Sequence, residues 1–552
     1  MSYFSDLLSA YSKRIGINSP QIAGYRGLDR VTVYRFMKGK TLPKDRDTVC
    51  RMAEILQLTE DERNILEEAY ECARLGPRVY WERQYIRSFL KSFTGTNPVV
   101  PLVHYDSGDL GTPQKDTLVV SGRDCTLRRL QEEIHRECCR EHCTIELVMR
   151  PGIDPVMDIL MSEGKKNRSL KVKHLIPLTT SFLSGPGLQV SSPAGSFTRG
   201  NMPVSGMNAG LAGLGSPRQM LMAHGKGAGG LAGGLISPLL AGDLFPEDDL
   251  IWNHELLQNF FKIVSICSEG FDYEPFYYYS RQAEIGTFPL YSNLLVTETA
   301  AVLFTDDLAE SIFFRDPDQV AVFRGKFDTI AQGKPALSYV FRDIESFMVN
   351  MNNVILKRDR NMADTEYFYA SQPCIIPILT EEIIRKHLRA DLFPKESEGR
   401  NDALKNIYDY IGAIQARYKN SDNNSVNFLS ESGIRYFMKT GRFAEVPMEL
   451  YSPLTEEERK EMVLKLAESP NYSTRILKKE LSPPEGMLCV EVMDKSLFIE
   501  FLVPDKGMCF LYVNEPGILL AFRNFFSGFS KDELYSEAES REILRMIAQG
   551  KM

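Results

Sequence analysis

The stretch GINSPQIAGYRGLDRVTVYRFMKGKTLP, residues 16–43, reads as two short helices joined by a tight turn. Asn18 is placed to cap the first helix, and Gln21, three residues on, closes a capping box. Ile22 and Ala23 supply that helix's inward face. Gly27 stands where the turn needs a residue tolerant of positive φ. Asp29 caps a second helix over 30–38, on which Val33 and Phe36 share the inward face. Arg30, Val31, Thr32, Tyr34 and Arg35 are left on or near the outer face. Gly39 ends the helix and Pro43 follows shortly after.

Outward from this stretch, residues 4–14 read as an opening helix with Leu7, Leu8, Tyr11 and Ile15 on one stripe. Residues 44–56 read as a further helix with Val49, Met52, Ala53 and Leu56 inward. Thr59 and Glu62 form a second capping box ahead of a helix that ends near Leu75, where Gly76-Pro77 stops it. Residues 1–76 are thus expected to be an all-α domain of five helices around one interior.

This segment, roughly Tyr3 to Leu75, resembles the XRE (phage-repressor-like) helix-turn-helix domains. Their pattern is A-x-x-x-G, a hydrophobic residue, a cap, then a helix ending R-x-x-x-G-K-x-x-P. Ala23, Gly27, Leu28, Asp29, Arg35, Gly39, Lys40 and Pro43 stand at the matching places. Met37, where many members carry Glu, and Pro20, near the start of the first helix, depart from the pattern without removing a group the fold needs. The resemblance implies a bacterial-type transcriptional regulator whose partner is double-stranded DNA. The 30–38 helix would enter the major groove, with Arg30 and Arg35 reaching guanine or phosphate. Val31, Thr32 and Tyr34 would offer apolar and hydroxyl contacts. Ser19 and Gln21, at a helix N-terminus, would hold the DNA backbone, and Lys38, Lys40 and Lys44 would add sequence-independent attraction. One such head buries little surface, so a homodimer on two half-sites is expected.

Composition sets the outer limits. A chain of 552 residues suggests three or four domains, and 43% hydrophobic with 25% charged residues is ordinary for a globular protein. No run of about 18 apolar residues occurs, so no membrane span is expected. The N-terminus lacks a signal-peptide core, and ten scattered cysteines fit a reducing cytoplasm. The whole chain carries −8, but residues 1–51 hold ten Lys or Arg against four Asp, a local +6. A basic face is what phosphate binding requires.

Residues 77–99 read as a helical connector with a stripe of Trp81, Tyr85, Phe89 and Phe93, suited to core packing, to docking on the next domain, or to a second subunit. Strand–helix alternation then predicts an α/β module over 100–335, interrupted at 184–242 by a stretch with 15 glycines and no Asp or Glu, read as a flexible insertion. A second module is expected over 345–535 and a last helix over 536–552. The two modules read as related. DPDQVAVFRGKF (316–327) and EPGILLAFRNFF (515–526) align Pro317 with Pro516, Phe323 with Phe522, Arg324 with Arg523 and Phe327 with Phe526. Each follows a pair of strand-like runs.

That F-R-x-x-F ending looks like the end of the sensor domains in some large XRE regulators, which in turn look similar to the phospholipase D fold, a pair of α/β halves. The superfamily's catalytic signature is H-x-K-x4-D in each half. Only His224 has Lys two residues on, and position 231 is Leu. The resemblance therefore implies a fold without its chemistry: no enzyme, no cofactor, and a region that senses a small-molecule or peptide effector or holds the dimer. Two other classes stay open, a DNA-targeted enzyme of phospholipase D-like fold and a protein-interaction adaptor whose helix-turn-helix meets no DNA.

Three further clusters draw notice. HRECCREHC places His135, Cys138, Cys139, His142 and Cys143 within nine residues. On one helix they suit a charged face with buried thiols, a thiol redox sensor or a zinc site, although structural zinc ligands usually come from two separated elements. YEPFYYYSRQAE (273–284) suits a core strand or an aromatic pocket wall. Asp306-Asp307 sits in an expected turn.

Overall fold

The computed structural model describes residues 3–17, 20, 22, 29–93, 116–150, 153–167, 169–179, 256–257, 259–267, 271–280, 291–341, 365–389, 398–419, 425–443, 450–469, 473–493, 495–503 and 507–551. The 184–242 stretch lies outside them. The chain falls into two compact units, one running to Glu82 and the other taking up at Arg83.

The first unit is helical. Helices α1 (Tyr3–Ile15), α2 (Arg30–Met37), α3 (Arg46–Ile55) and α4 (Glu60–Leu75) surround one core of Phe4, Leu8, Ile22, Val33, Phe36, Val49, Met52, Ala53, Leu66 and Tyr70. Helix α5 (Pro77–Lys91) crosses the division between the units. The core face of α1 is Phe4 and Leu8, while Leu7, Tyr11 and Ile15 are only partly buried. The expected stripe therefore lies against the core, with Leu8 inside it and Leu7, Tyr11 and Ile15 on its margin, and Phe4 adds to it by packing edge-on against Tyr70, with ring centroids 5.7 Å apart. Asp45, and not Lys44, opens α3 by accepting from the Thr48 amide. The Thr59–Glu62 capping box at α4 is present on both sides.

The second unit holds two mixed seven-stranded sheets. The first comprises β1 (Thr117–Ser121), β2 (Thr144–Val148), β3 (Lys171–Thr179), β4 (Asp272–Ser280), β5 (Asn293–Val296), β6 (Ala301–Phe304) and β7 (Glu310–Phe314), in spatial order β4-β3-β2-β5-β6-β7-β1. The second comprises β8 (Ser338–Phe341), β9 (Glu366–Ala370), β10 (Ser425–Ser430), β11 (Ser473–Leu477), β12 (Cys489–Val492), β13 (Leu497–Val503) and β14 (Gly507–Val513), in order β11-β10-β9-β12-β13-β14-β8. The two orders are the same. In each, three parallel strands lie at one end and the remaining pairings are antiparallel. The edge strand β8 opens the second sheet ahead of residue 345.

In the first sheet α6 (Arg123–Cys138) and α7 (Asp154–Lys166) pack together, and α8 (Pro317–Ala331) lies against β2, β5 and β6. In the second, α9 (Glu381–His387), α10 (Glu398–Lys419), α11 (Glu431–Thr440), α12 (Glu456–Glu468) and α14 (Glu537–Ala548) share one large apolar cluster, and α13 (Pro516–Ser527) packs on β9 and β12. All residues of β5 and β6 are buried, as a sheet covered on both faces requires.

Helices α8 and α13, the two F-R-x-x-F segments, are anchored alike. Asp316 and Glu515 cap them by accepting from the Gln319 and Ile518 amides. Arg324 donates to the carbonyl of Thr297, just past β5, at 2.9 Å, and Arg523 donates to that of Met493, just past β12, at 2.8 Å. Phe327 and Phe526 are each 1% exposed. The C-terminal half of α5 is held in this unit: Phe89 stacks on Phe261 at 4.2 Å, Phe93 meets Phe501, and Arg83 donates to the Phe525 carbonyl at 3.0 Å. Phe89 and Phe93 of the connector's aromatic stripe are thus buried against the α/β unit.

His174 on β3 is fully enclosed, with its Nδ1 2.7 Å from the Tyr273 hydroxyl and its Nε2 3.2 Å from the Met149 carbonyl. Burial drives its pKa down to about 4, from 6.5. Between those values the unfolded chain binds a proton that the folded one refuses, so stability falls as pH falls from 6.5 to 4. The expected loss is about 3 kcal/mol. Urea titrations at pH 7 and pH 4 will show it, and His174→Gln will flatten this part of the slope.

Candidate nucleic-acid interface

Helix α2 is built to present one face and bury the other. Asp29 has extended backbone, and its Oδ2 accepts from the Thr32 amide and from the Thr32 hydroxyl, both at 2.9 Å. These hydrogen bonds hold the Asp29 carboxyl below the usual range. At the other end the Gly39 amide donates to the Phe36 carbonyl and the Lys40 amide to that of Arg35, a Schellman closure that needs Gly39 at φ +63°. Ser9 on α1 donates its hydroxyl to the Met37 carbonyl at 3.0 Å. Tyr70 donates to the Pro43 carbonyl at 3.1 Å and so fixes the chain that follows.

Between these clamps Val33 and Phe36 are buried, at 0% and 5% exposure. Val31 and Tyr34 stand out at 54% and 48%, an unusual degree of exposure for large apolar side chains. Arg30, Arg35, Lys38, Lys40 and Lys44 are exposed, and no ion pair holds any of them among the described residues. Thr32 is half-buried and its hydroxyl proton is committed to Asp29, so it can only accept from a ligand. Ser19 and Gln21, with Asn18, Ala23, Gly27 and Leu28, lie outside the described residues.

The basic residues of this unit divide in a way the sequence does not display. Arg14 is paired with Glu62, one contact being 3.0 Å, and Arg46 donates through Nε to Glu67 at 2.9 Å. Glu67 also accepts from the Cys50 thiol and is itself 8% exposed. These two arginines brace α1 and α3 against α4. The cations around α2 are exposed without such a carboxylate among the described residues.

The other clusters resolve differently. Helix α6 ends at Cys138, so His142 leaves the helix and the histidines do not share its face. Cys138 and Cys143 are buried, whereas Cys139 and His142 are exposed. No group of three or more His, Cys, Asp or Glu suited to a metal ion occurs among the described residues. On β4, Tyr273 and Tyr277 are core, and Tyr279 donates to Glu515 at 2.6 Å. Glu274 and Phe276 instead line an open groove of about 450 Å³ with Lys173, Phe327 and Asp328. Residues 281–284 lie outside the described set. Asp306 accepts from Asn293 and pairs with Arg150, and Asp307 closes the turn by accepting from Thr305 and the Ala309 amide.

No family model matches the chain, and no curated protein does. Among solved structures, the archaeal chromatin protein TrmBL2, whose structure shows a novel mode of DNA binding, is similar over 61% of this chain and 94% of its own, at 10% identity and a TM-score of 0.18. The phosphatidylserine synthase of Haemophilus influenzae Rd KW20 is similar over 80% and 94%, at 8% identity and a TM-score of 0.20. With scores of that size, neither decides what this chain does. No helix among the described residues is long and apolar enough to cross a membrane.

If the two faces of α2 have the separate roles their burial implies, substitutions on them diverge. Phe36→Ala is expected to cost about 3 kcal/mol of unfolding free energy. Tyr34→Ala is expected to change it by no more than about 0.5 kcal/mol. Urea denaturation of both variants checks this.

Proposed function

We propose that the protein is a sequence-specific regulator of transcription that reads double-stranded DNA with helix α2, in the manner of the XRE helix-turn-helix domains. One observation carries the reading: α2 is clamped at both ends and buried on one side, yet it holds Arg30, Val31, Tyr34 and Arg35 in solvent with no side-chain hydrogen bond or ion pair among the described residues. A groove-reading helix needs this division. Arg30 and Arg35 offer bidentate donors to guanine O6 and N7, and Val31 offers an apolar surface to a thymine methyl. Lys38, Lys40 and Lys44 would neutralise flanking phosphates. Ser19 and Gln21 belong to the same proposal as backbone contacts.

The two sheets, with one strand order and one way of anchoring the F-R-x-x-F helix, support reading the remainder as a duplicated α/β module. Its proposed role is to respond to a small-molecule or peptide effector and to hold a homodimer in the cytoplasm, without turnover of a substrate. Dimerisation would set two α2 helices on half-sites one helical turn apart.

Selection of binding sites from random duplex DNA with the full-length protein is expected to return a symmetric site. In a gel-shift assay the Arg30→Ala, Arg35→Ala double variant should lose that site. Arg14→Ala, which removes a cation already paired with Glu62, should keep it. Lys40→Ala should lower the slope of log affinity against log salt by about one. Retention of operator affinity by the double arginine variant would refute the assignment.

A further inference from the structure

Three side chains from α6 and α7 converge where HRECCREHC runs off the end of its helix. Glu163, on α7, is buried, and its Oε2 lies 2.9 Å from His135 Nδ1. Cys139 caps the C-terminus of α6 and sets its Sγ 3.7 Å from His135 Nε2. Burial works against charge on Glu163, but hydrogen bonds from His135 and from Lys166, the latter at 2.7 Å, hold its carboxyl below the usual range. An ionised Glu163 only accepts, so it keeps the proton of a neutral ring on Nδ1. The bare Nε2 then faces the thiol. Nucleophile, base and orienting carboxylate stand in that order.

Access separates this thiol from its neighbours. Cys139 is exposed and the His135 side chain is 61% exposed, so a small reagent can reach both. Cys138, one residue earlier, is buried, and burial above all pushes its pKa up to about 12. Cys143 is buried against Asn167 and Ser169. Cys125 offers an internal comparison, because it is exposed on the same helix and makes no hydrogen bond among the described residues.

We propose that Cys139 is a reactive thiol oxidised by small hydroperoxides, with His135 as its base and Glu163 positioning the ring. Cys139 Sγ gives its proton to His135 Nε2. The thiolate attacks one peroxide oxygen, an S–O bond forms and the O–O bond breaks. The departing hydroxide or alkoxide takes the proton back from His135. Sulfur loses two electrons to the peroxide, and the products are a sulfenic acid and water or an alcohol. This reaction does not depend on the DNA-binding reading.

The test is site-resolved mass spectrometry of the full-length protein exposed to limiting hydrogen peroxide in the presence of dimedone, which traps sulfenic acids. Cys139 should be labelled at least about tenfold faster than Cys125, and Cys138 should stay unlabelled. His135→Asn, an exposed substitution, should bring Cys139 down to the rate of Cys125 with an unchanged circular-dichroism spectrum. Glu163→Gln should lower the rate and move the pH profile of Cys139 alkylation by iodoacetamide upward, which a purely structural role would not do. Equal rates at Cys139 and Cys125 in the unaltered protein, or an unchanged Cys139 rate in His135→Asn, would overturn the proposal. An unchanged pH profile in Glu163→Gln would remove Glu163 from it.

Discussion

Covering a mixed sheet on both faces is the constraint from which the larger unit follows. In the first sheet β5 and β6, the antiparallel strands next to the parallel end, are buried throughout, so this part of the sheet is covered on both faces. The helix that follows the last antiparallel strand has to be tied down at a fixed place. An arginine does this twice, Arg324 at the carbonyl after β5 and Arg523 at the carbonyl after β12. A carbonyl left bare beneath a helix would carry the full cost of its lost hydration, and a guanidinium reaching it removes that cost. Phenylalanine one residue before and three residues after the arginine supplies the apolar contact, and the acidic cap sets where the helix starts.

The smaller unit solves a different problem on a much shorter element. Eight residues are too few for a helix to persist by itself, so α2 depends on its caps and on the core beneath it. Asp29, Gly39, Ser9 and the pair Val33 and Phe36 all act toward that end. What they hold in place is a surface of two large apolar side chains among unpaired cations, which serves no purpose in folding. The pairing of Arg14 with Glu62 and of Arg46 with Glu67 sharpens the contrast, because the cations on α2 and the turn after it have no such partner among the described residues.

Cys138 and Cys139 show how one residue of offset decides chemistry. The first points into the interior at the helix end and is kept protonated by desolvation. The second, as the cap residue, turns out to water beside an imidazole that a buried carboxylate orients. The carboxylate comes from another helix, twenty-eight residues along the chain.

Local chemistry was legible in the sequence wherever it acts over a few residues. Asp29 before a short helix, Gly39 and Pro43 after it and the Thr59–Glu62 box each work through neighbours close in the chain, so spacing alone determined them; the F-R-x-x-F repeat was legible as a pattern, but not the remote carbonyls its arginines reach. The paired strand-like runs ahead of each F-R-x-x-F segment were equally plain, because period and turn residues are local signals. What only the tertiary structure decided depends on partners brought from afar. Phe4 joined Leu8 at the centre of the core because Tyr70 lies opposite it, with Leu7 on the margin. Arg14 and Arg46 left the set of free cations because Glu62 and Glu67 reach them. The identical strand order of the two sheets rests on pairings between distant runs, and Glu163 meets His135 only because α7 packs on α6. Periodicity reports which face of an element is apolar; it carries no information about which remote side chain will arrive to meet it.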